Sequence, residues 1–512
     1  MPPIDPLTQL ALETIAMNKQ AIIFAPSRAS AEKTAEEISK LTTFNLLELE
    51  KEVLHATSTP TKQCRRLSHC LKKGIAFHHA GLVQKQRELI EDEFRAGKIK
   101  IICCTPTLAA GLSMPAFRVI IKSLKRYSGE WGMDWIPVLE YLQMAGRAGR
   151  PEYEKFGEAI TLAKDVHEQD EIHNRYVLGV PEDIQSKLAV EPVLRTYLLS
   201  LISSGIIRDE KTMNEFFRNT FWAHQYEDMD KLEIIMDKML SLLEKWKFIS
   251  ITQQKDMFVA ANSLQNKLGK QMSPTLVGKR VAELYLDPLT ARHLLDCMDN
   301  YTEKTTAFSW LQTICHTLEM RPLLRTKKKE VEYVEGELVK NYDTLLEPEP
   351  SAFDVDYPNF INSIKTTLFF MGWIDEKDED YLMEKLDVAP GEIRVKTDVA
   401  DWLLYAMQEL LIVTTKEKEI LKQLSMLRIR VQNGVREDVL PLLKLKGIGR
   451  VRARRLVSQG LKDLGDLKNV DITTLSQILG KAIAEDVKKQ LGEEIDEVPD
   501  GKRKGQLSVM KF

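Results

Sequence analysis

At 512 residues the chain is too long for one hydrophobic core and predicts several domains. A hydrophobic fraction of 44% is ample for buried cores, yet no apolar run reaches the ~18 residues that a membrane-spanning helix needs. With 72 Lys and Arg against 75 Asp and Glu, the formal charge of −3 neither marks nor excludes a nucleic-acid binder, because a basic groove needs clustered charge on one face only.

The opening MPPIDPLTQL has neither the basic start nor the apolar core of a signal peptide, so a cytoplasmic location is expected. AIIFA (Ala21 to Ala25) is a continuous apolar run stopped by Pro26, as a buried parallel strand is. Helical spacing follows from Arg28 to Leu41. GIAFHH, the helical Val83 to Arg95 and the apolar Ile99 to Cys104 repeat the strand–helix–strand order, and Arg118 to Ile121 and Glu158 to Leu162 supply later strands. Such alternation predicts an α/β lobe with a doubly wound parallel sheet. Ligands gather at the carboxyl ends of such strands, where Ser27 and Thr105 fall.

Between Ile121 and Val138, Gly129 and Gly132 punctuate a stretch carrying Tyr127, Trp131 and Trp135, which predicts a projecting β-hairpin. From spacing alone, these aromatics pack on a neighbouring domain. Residues 181–260 turn helical and end in an apolar–polar strand pair, which suits a winged helix. Residues from about 265 to 430 are helical with charged or Pro-rich connections, and 431–490 form a compact helical unit. The acidic EEIDEVPD and basic GKRKG after Gly492 read as a disordered tail. Six scattered cysteines, Cys103 and Cys104 adjacent, show no CxxC or Cys/His spacing. No metal site is expected.

Three phrases carry chemistry. QMAGRAGR (Gln143 to Arg150) sets Arg147 and Arg150 three residues apart behind Gln143, beside Gly146 and Gly149, so that two cationic forks can converge on one phosphate while the backbone comes close. HHAGL (His78 to Leu82) precedes a helix, and TPTLAAGLSMPA (Thr105 to Ala116, including Gly111) follows a buried strand. Both suit backbone N–H groups and hydroxyls presented to phosphates, with His79 contacting or positioning. A lone RxxR is usually a surface pair, and a lone histidine is usually strand-end packing. The ordered trio points instead to the arginine-finger half of an ATP-driven motor. The gripping half is not found: Lys98, Lys270, Lys279, Lys481 and Lys502 follow glycines but precede Ile, Gln, Arg, Ala and Arg, never Ser or Thr. ATP and Mg2+ are therefore expected to be bound mainly by a missing or partner lobe carrying a P-loop and DExH box.

In combination, TPTLAAG, QMAGRAGRP, SKLAVEPVLR, LYLDPLT and IGRVRARRL resemble the archaeal superfamily-two DNA helicases of the Ski-two-like branch, relatives of the helicase region of DNA polymerase theta. The resemblance runs from Ala21 to the end of the helical units. It implies a second RecA-like lobe (1–165), a winged helix (166–262), a helical ratchet domain (263–430), a helix-hairpin-helix domain (431–490) and a tail (491–512), the first RecA-like lobe being absent.

It also implies roles. Tyr127, Trp131 and Trp135 become a strand-separating pin. The stretch Gly391 to Leu411 becomes the helix that tracks the translocating strand, with Trp402 stacking on a base and Arg394 or Lys396, which flank Val395 seven residues earlier, contacting it as well. Without the resemblance Trp402 reads as core. In KLKGIGRVRARRL, Gly447 and Gly449 form a tight turn whose N–H groups suit a DNA phosphate, with Arg450, Arg452, Arg454 and Arg455 adding positive charge. Ile478 to Lys489 resembles a second, weaker hairpin. Gln506, Val509 and Phe512 in QLSVMKF resemble a sliding-clamp peptide.

The leading expectation is the C-terminal part of a nucleoid-associated, 3′ to 5′ ATP-dependent DNA helicase at damaged forks, binding single-stranded and forked DNA. A non-catalytic DNA-binding protein is the competing class, disfavoured by the paired arginines. An RNA helicase of the same branch is disfavoured by the helix-hairpin-helix unit.

Overall fold

The computed structural model describes residues 5–56, 60–109, 114, 116–127, 133–149, 155–226, 229–253, 270–414 and 418–492. They divide into two compact units: Met1–Gln185 with Glu379–Val395, and Ser186–Asp378 with Lys396–Phe512.

The first unit is built on β1 (Ala21–Phe24), β2 (Ile75–His78), β3 (Ile101–Cys104), β4 (Arg118–Ile121) and β7 (Glu158–Thr161), all parallel, in the order β2-β3-β1-β4-β7. The strands β1 to β4 are buried at every residue, which is why they are almost wholly apolar instead of alternating. Besides His78 at the end of β2, Arg118 is the exception. Its guanidinium crosses to the edge strand, where its register partner Glu158 accepts from Nε at 2.7 Å, and Nη1 donates to the Leu10 carbonyl and the Thr14 hydroxyl. The expected α/β fold is present. Helices Leu47–His55 and Lys62–Lys72, not foreseen in the sequence, precede β2.

The first unit runs past the expected boundary at 165. Ile172 and Tyr176 belong to its core, the Tyr176 hydroxyl donates to the Ile136 carbonyl at 2.6 Å, and Glu182 accepts from the Val138 and Leu139 N–H groups. The antiparallel β5 (Lys125–Tyr127) and β6 (Met133–Trp135) form the hairpin arms.

The second unit begins with helices Glu191–Ser203, Glu210–Arg218, Phe221–Tyr226 and Met229–Lys245, followed by antiparallel β8 (Ile249–Gln253) and β9 (Lys270–Pro274). The boundary expected at 262 falls inside this strand pair. A bidentate ion pair crosses it: Arg195 Nε and Nη2 lie 2.6 and 2.7 Å from the Asp287 carboxylate oxygens. Both residues sit in phrases that carry the family resemblance, SKLAVEPVLR and LYLDPLT. Asp287 also caps Pro288–Asp299 by accepting from Leu289 N–H at 2.8 Å.

Helix Tyr357–Ile374 is deeply buried among its neighbours, with Phe360, Ile364, Phe369 and Phe370 fully enclosed. The final helices, Arg450–Ser458, Leu464–Asn469, Ile472–Leu479 and Lys481–Gln490, surround a separate core from Val435 to Val487. The expected tail and clamp peptide, with Gln506, Val509 and Phe512, lie outside the described residues.

Candidate motor and nucleic-acid interface

Ser27, the HHAGL phrase and Thr105 all fall at carboxyl ends of the parallel strands. Ser27 is exposed and caps helix Arg28–Ser39 by accepting from Ser30 N–H at 3.2 Å. Thr105 shares a hydrogen bond with Thr107 (2.9 Å between hydroxyls), and its N–H donates to the His78 carbonyl at 3.4 Å.

His79 differs from the expected DNA contact. Its side chain is fully buried, stacked on Phe77 at 5.7 Å, with Nε2 3.0 Å from Glu32 Oε1. Its Nδ1 accepts from Gly81 N–H at 3.1 Å, so Nε2 carries the proton toward Glu32. Glu32 also accepts from Gln63 and Arg66 at 2.6 Å each. Burial alone would push its carboxyl up, but the His79 and Gln63 hydrogen bonds and the Arg66 charge outweigh it and hold it below the usual range. His79 thus positions the turn and is too deep to touch a phosphate. His78 is pushed down to about 4 by burial, with Arg87 and His79 adding to the effect, and its Nε2 lies 3.0 Å from Glu91.

The QMAGRAGR and TPTLAAG phrases meet directly. Ala116 N–H donates to the Arg147 carbonyl at 2.9 Å, Gly149 N–H returns to the Ala116 carbonyl at 2.6 Å, and Arg147 directs both Nε (3.2 Å) and Nη2 at the Ala109 carbonyl. Two of the five guanidinium donors are thereby committed to its own lobe. Gln143 is exposed on helix Val138–Ala145, and Gly146 ends that helix. Gly149 has φ +92°, and its close approach is to Gly157 within the lobe: a Cβ built on Gly157 would lie 2.2 Å from Gly149 N. Arg150 and Gly111 lie outside the described residues.

The hairpin aromatics do not all serve as a wedge. Trp135 pairs with Lys125 at the base of the hairpin, beneath the Lys125 ammonium (4.0 Å to the ring), and packs 5.9 Å from Tyr176. It secures the hairpin to the lobe. Tyr127 pairs with Met133 at the outer end of the arms, and Trp131 lies outside the described residues.

On helix Pro390–Thr414, Arg394 is exposed. Lys396 is buried and donates to the Pro322 carbonyl at 2.8 Å, which removes it from the expected strand contacts. Trp402 is half-buried and its indole N–H is taken by the Leu284 carbonyl at 3.1 Å, fixing the ring's orientation.

In the last core, Gly447 turns at φ +81° and exposed Gly449 starts helix Arg450–Ser458, which no side chain caps. Four first-turn N–H groups of any helix need outside partners. Arg452 folds back to the Gly447 carbonyl at 2.7 Å, and Arg455 is exposed. Arg454 departs from expectation. It is bound by both Glu376 (2.6 Å) and Asp438 (2.7 Å), whose hydrogen bonds push its guanidinium further up, so it braces the domain. Arg450 lies 5.0 Å from the Trp373 ring and donates to the Lys377 carbonyl. A second helix–glycine–helix follows, Ile472–Leu479 and Lys481–Gln490 around Gly480 at φ +90°.

These surfaces coincide with known modules. Residues 4–152 match the helicase conserved C-terminal domain, 308–434 match archaeal helicase domain 4, and 439–493 match the SAM-like helix-hairpin-helix tandem. The chain is 35% identical to the ATP-dependent DNA helicase Hel308 of Pyrococcus abyssi, 36% to that of Pyrococcus horikoshii and 35% to that of Methanococcus vannielii. The matches cover 98, 98 and 95% of this chain and 67, 67 and 68% of those proteins. The chain belongs to the archaeal Hel308 helicase family. It corresponds to the C-terminal region of such a helicase, with the RecA-like lobe and helix-hairpin-helix unit that the resemblance implies.

Several residues that shape this Hel308-type surface were not legible. Glu32 and Arg28 read as ordinary members of a charged helix, yet Glu32 anchors His79, and Arg28 pairs with Glu392 at 2.8 Å. Gly157 and Gly391 were unremarkable glycines until their neighbours were known. The charged Glu376 and Asp438 gave no signal that they would claim Arg454. Among the described residues no helix is long and apolar enough to cross a membrane.

Proposed function

We propose that the chain supplies the second motor lobe and the DNA track of a 3′ to 5′ DNA helicase acting at damaged replication forks, working with a P-loop/DExH lobe. The observation that carries this is the direct joining of QMAGRAGR to TPTLAAG through Arg147 and Ala109. A passive DNA binder has no need of an arginine fork braced beside exposed Gln143.

The residues fit one side of a nucleotide. Arg147 keeps three donors beyond those facing Ala109, and Gln143 adds an amide, so both can meet a terminal phosphate offered from outside. Mg-ATP, when bound, supplies the phosphoryl group whose developing charge such cations stabilise. Arg147, with Arg150, neutralises that charge. Ser27, Thr105 and Arg394 hold strand phosphates, Trp402 stacks on a base, and the Gly447–Gly449 turn with Arg452 and Arg455 grips the backbone elsewhere. The 506–512 peptide docks on a sliding clamp.

Mixing the chain with a P-loop/DExH lobe should restore DNA-stimulated ATP turnover that neither piece has alone. Arg147→Ala should then lower it roughly a thousandfold. Turnover by the chain alone, or an indifferent Arg147→Ala, would sink the motor reading. Trp402→Ala should weaken single-strand binding by about 1–3 kcal/mol while the fold survives.

A further inference from the structure

The start of the strand-tracking helix is fastened to the motor lobe. Gly391 N–H donates to the Gly81 carbonyl at 3.0 Å. A Cβ built on Gly391 would lie 2.1 Å from the Ala80 carbonyl oxygen and 2.6 Å from that of Leu82, so only glycine allows this approach. The same Ala80–Leu82 turn is held from beneath by the Gly81 N–H bond to His79 and the His79 bond to Glu32. Three further ties reach the segment from the lobe's helices: Arg28 to Glu392 at 2.8 Å, Lys62 N–H to Asp380 at 3.1 Å, and the Lys62 ammonium to Glu384. The segment Glu379–Val395 accordingly belongs to the first compact unit, whereas Lys396 onward belongs to the second.

Arg394 lies three residues beyond Gly391, less than one helical turn, and so on the same side of that division. We propose that Gly391, seated on the His79-braced Ala80–Leu82 turn, is a positioning residue that fixes where Arg394, on the first turn of the same helix, meets the strand. This rests on reading Pro390–Thr414 as the strand track. The physical content is simple. A buried imidazole fixes a turn, the turn's carbonyls fix a glycine, and the glycine fixes where the next guanidinium points.

The test uses the full 512-residue chain, an oligo-dT strand and amide exchange. Gly391→Ala and Gly391→Val should speed exchange across 379–395 and 80–82, Val more than Ala, leaving 21–24 and 101–104 protected. Arg394→Ala should weaken oligo-dT binding about tenfold, as loss of one charge-assisted contact does. Gly391→Val should lose about as much, and adding Arg394→Ala to it should cost nothing further, while Trp402→Ala should add fully to either. A merely structural glycine would give additive losses with all partners. If Gly391→Val unfolds the lobe, Arg28→Gln with Lys62→Gln loosens the same joint from the surface and should show the same non-additivity with Arg394→Ala in weaker form. Additive losses, or unchanged exchange at 379–395, overturn the inference. So does a silent Arg394→Ala. In that case a loss on Trp402→Ala leaves the strand-track reading standing, and silence there as well removes it.

Discussion

Two glycines of the motor lobe and four of the helix-hairpin-helix domain do opposite work. A Cβ on Gly157 or Gly391 would strike backbone at 2.2 or 2.1 Å, whereas Gly447, Gly449, Gly460 and Gly480 have nothing within 4 Å of the same built atom. At the first two, the missing side chain lets protein touch protein. At the other four it leaves space at turns, with positive φ at Gly447, Gly460 and Gly480, and the open backbone faces outward for something else. The arginines divide the same way. Arg454 is spent on Glu376 and Asp438, while Arg452 and Arg455 remain solvent-facing. A glycine or arginine in a motif is thus informative only once its neighbourhood is known to be filled or empty.

Four measurements break or sharpen that contrast. The largest effect belongs to Gly157→Val, which should destabilise the lobe by about 3 kcal/mol or more, because the obstacle is rigid backbone; a thermal transition near wild type would show the lobe yields. Next, Gly449→Ala should leave melting nearly unchanged, as its φ of −102° suits alanine, yet weaken duplex DNA binding about tenfold by filling the approach to the helix N-termini. Equal loss of stability and binding would erase the distinction. Third, Arg454→Ala should lower terminal-domain stability by about 1 kcal/mol after solvent screening and barely touch DNA affinity. Arg455→Ala should do the reverse, with a shallower salt dependence of binding.

The smallest effect is a matter of sign. In the second unit, His316 lies with Nδ1 2.8 Å from Glu347 and Nε2 3.2 Å from Asp356. Burial would push it down, but the Glu347 hydrogen bond and the charges of Glu347 and Asp356 outweigh this and raise it above its ordinary value. A raised imidazole stabilises fully below about pH 6.5 and loses that contribution as pH climbs through its folded value. His78 in the lobe, pushed down to about 4, has the opposite slope: stability falls as pH drops from about 6.5 toward 4. Amide exchange followed across pH should therefore loosen the lobe in acid and the second unit as pH rises above about 6.5, and His316→Gln should flatten only the latter.

Much of the lobe was legible because four strands are buried on both faces and so announce themselves as unbroken apolar runs. Arg118 escaped notice within one of them, since a charged residue in a core strand is intelligible only when Glu158 is seen beside it. The helical units were legible as helices, but their division was not: a wing strand returning at Lys270 and an ion pair from Arg195 to Asp287 leave no periodicity in the chain. The motif residues were found as words. Which of them face outward was not, because His79, Lys396 and Arg454 are withdrawn by partners 47, 74 and 78 residues away. Long-range partners of this kind have no local signature.

The Arg195–Asp287 fork carries a practical lesson for anyone dissecting the molecule. Scissors placed at residue 262 would strand one half of an enclosed charge couple on each fragment, a penalty of about 3–5 kcal/mol that neither piece could absorb alone. Two of the phrases by which kinship is recognised are in this respect a rivet: they mark where the polypeptide is sewn to itself, and a piece lacking either stitch should come out of the cell as aggregate.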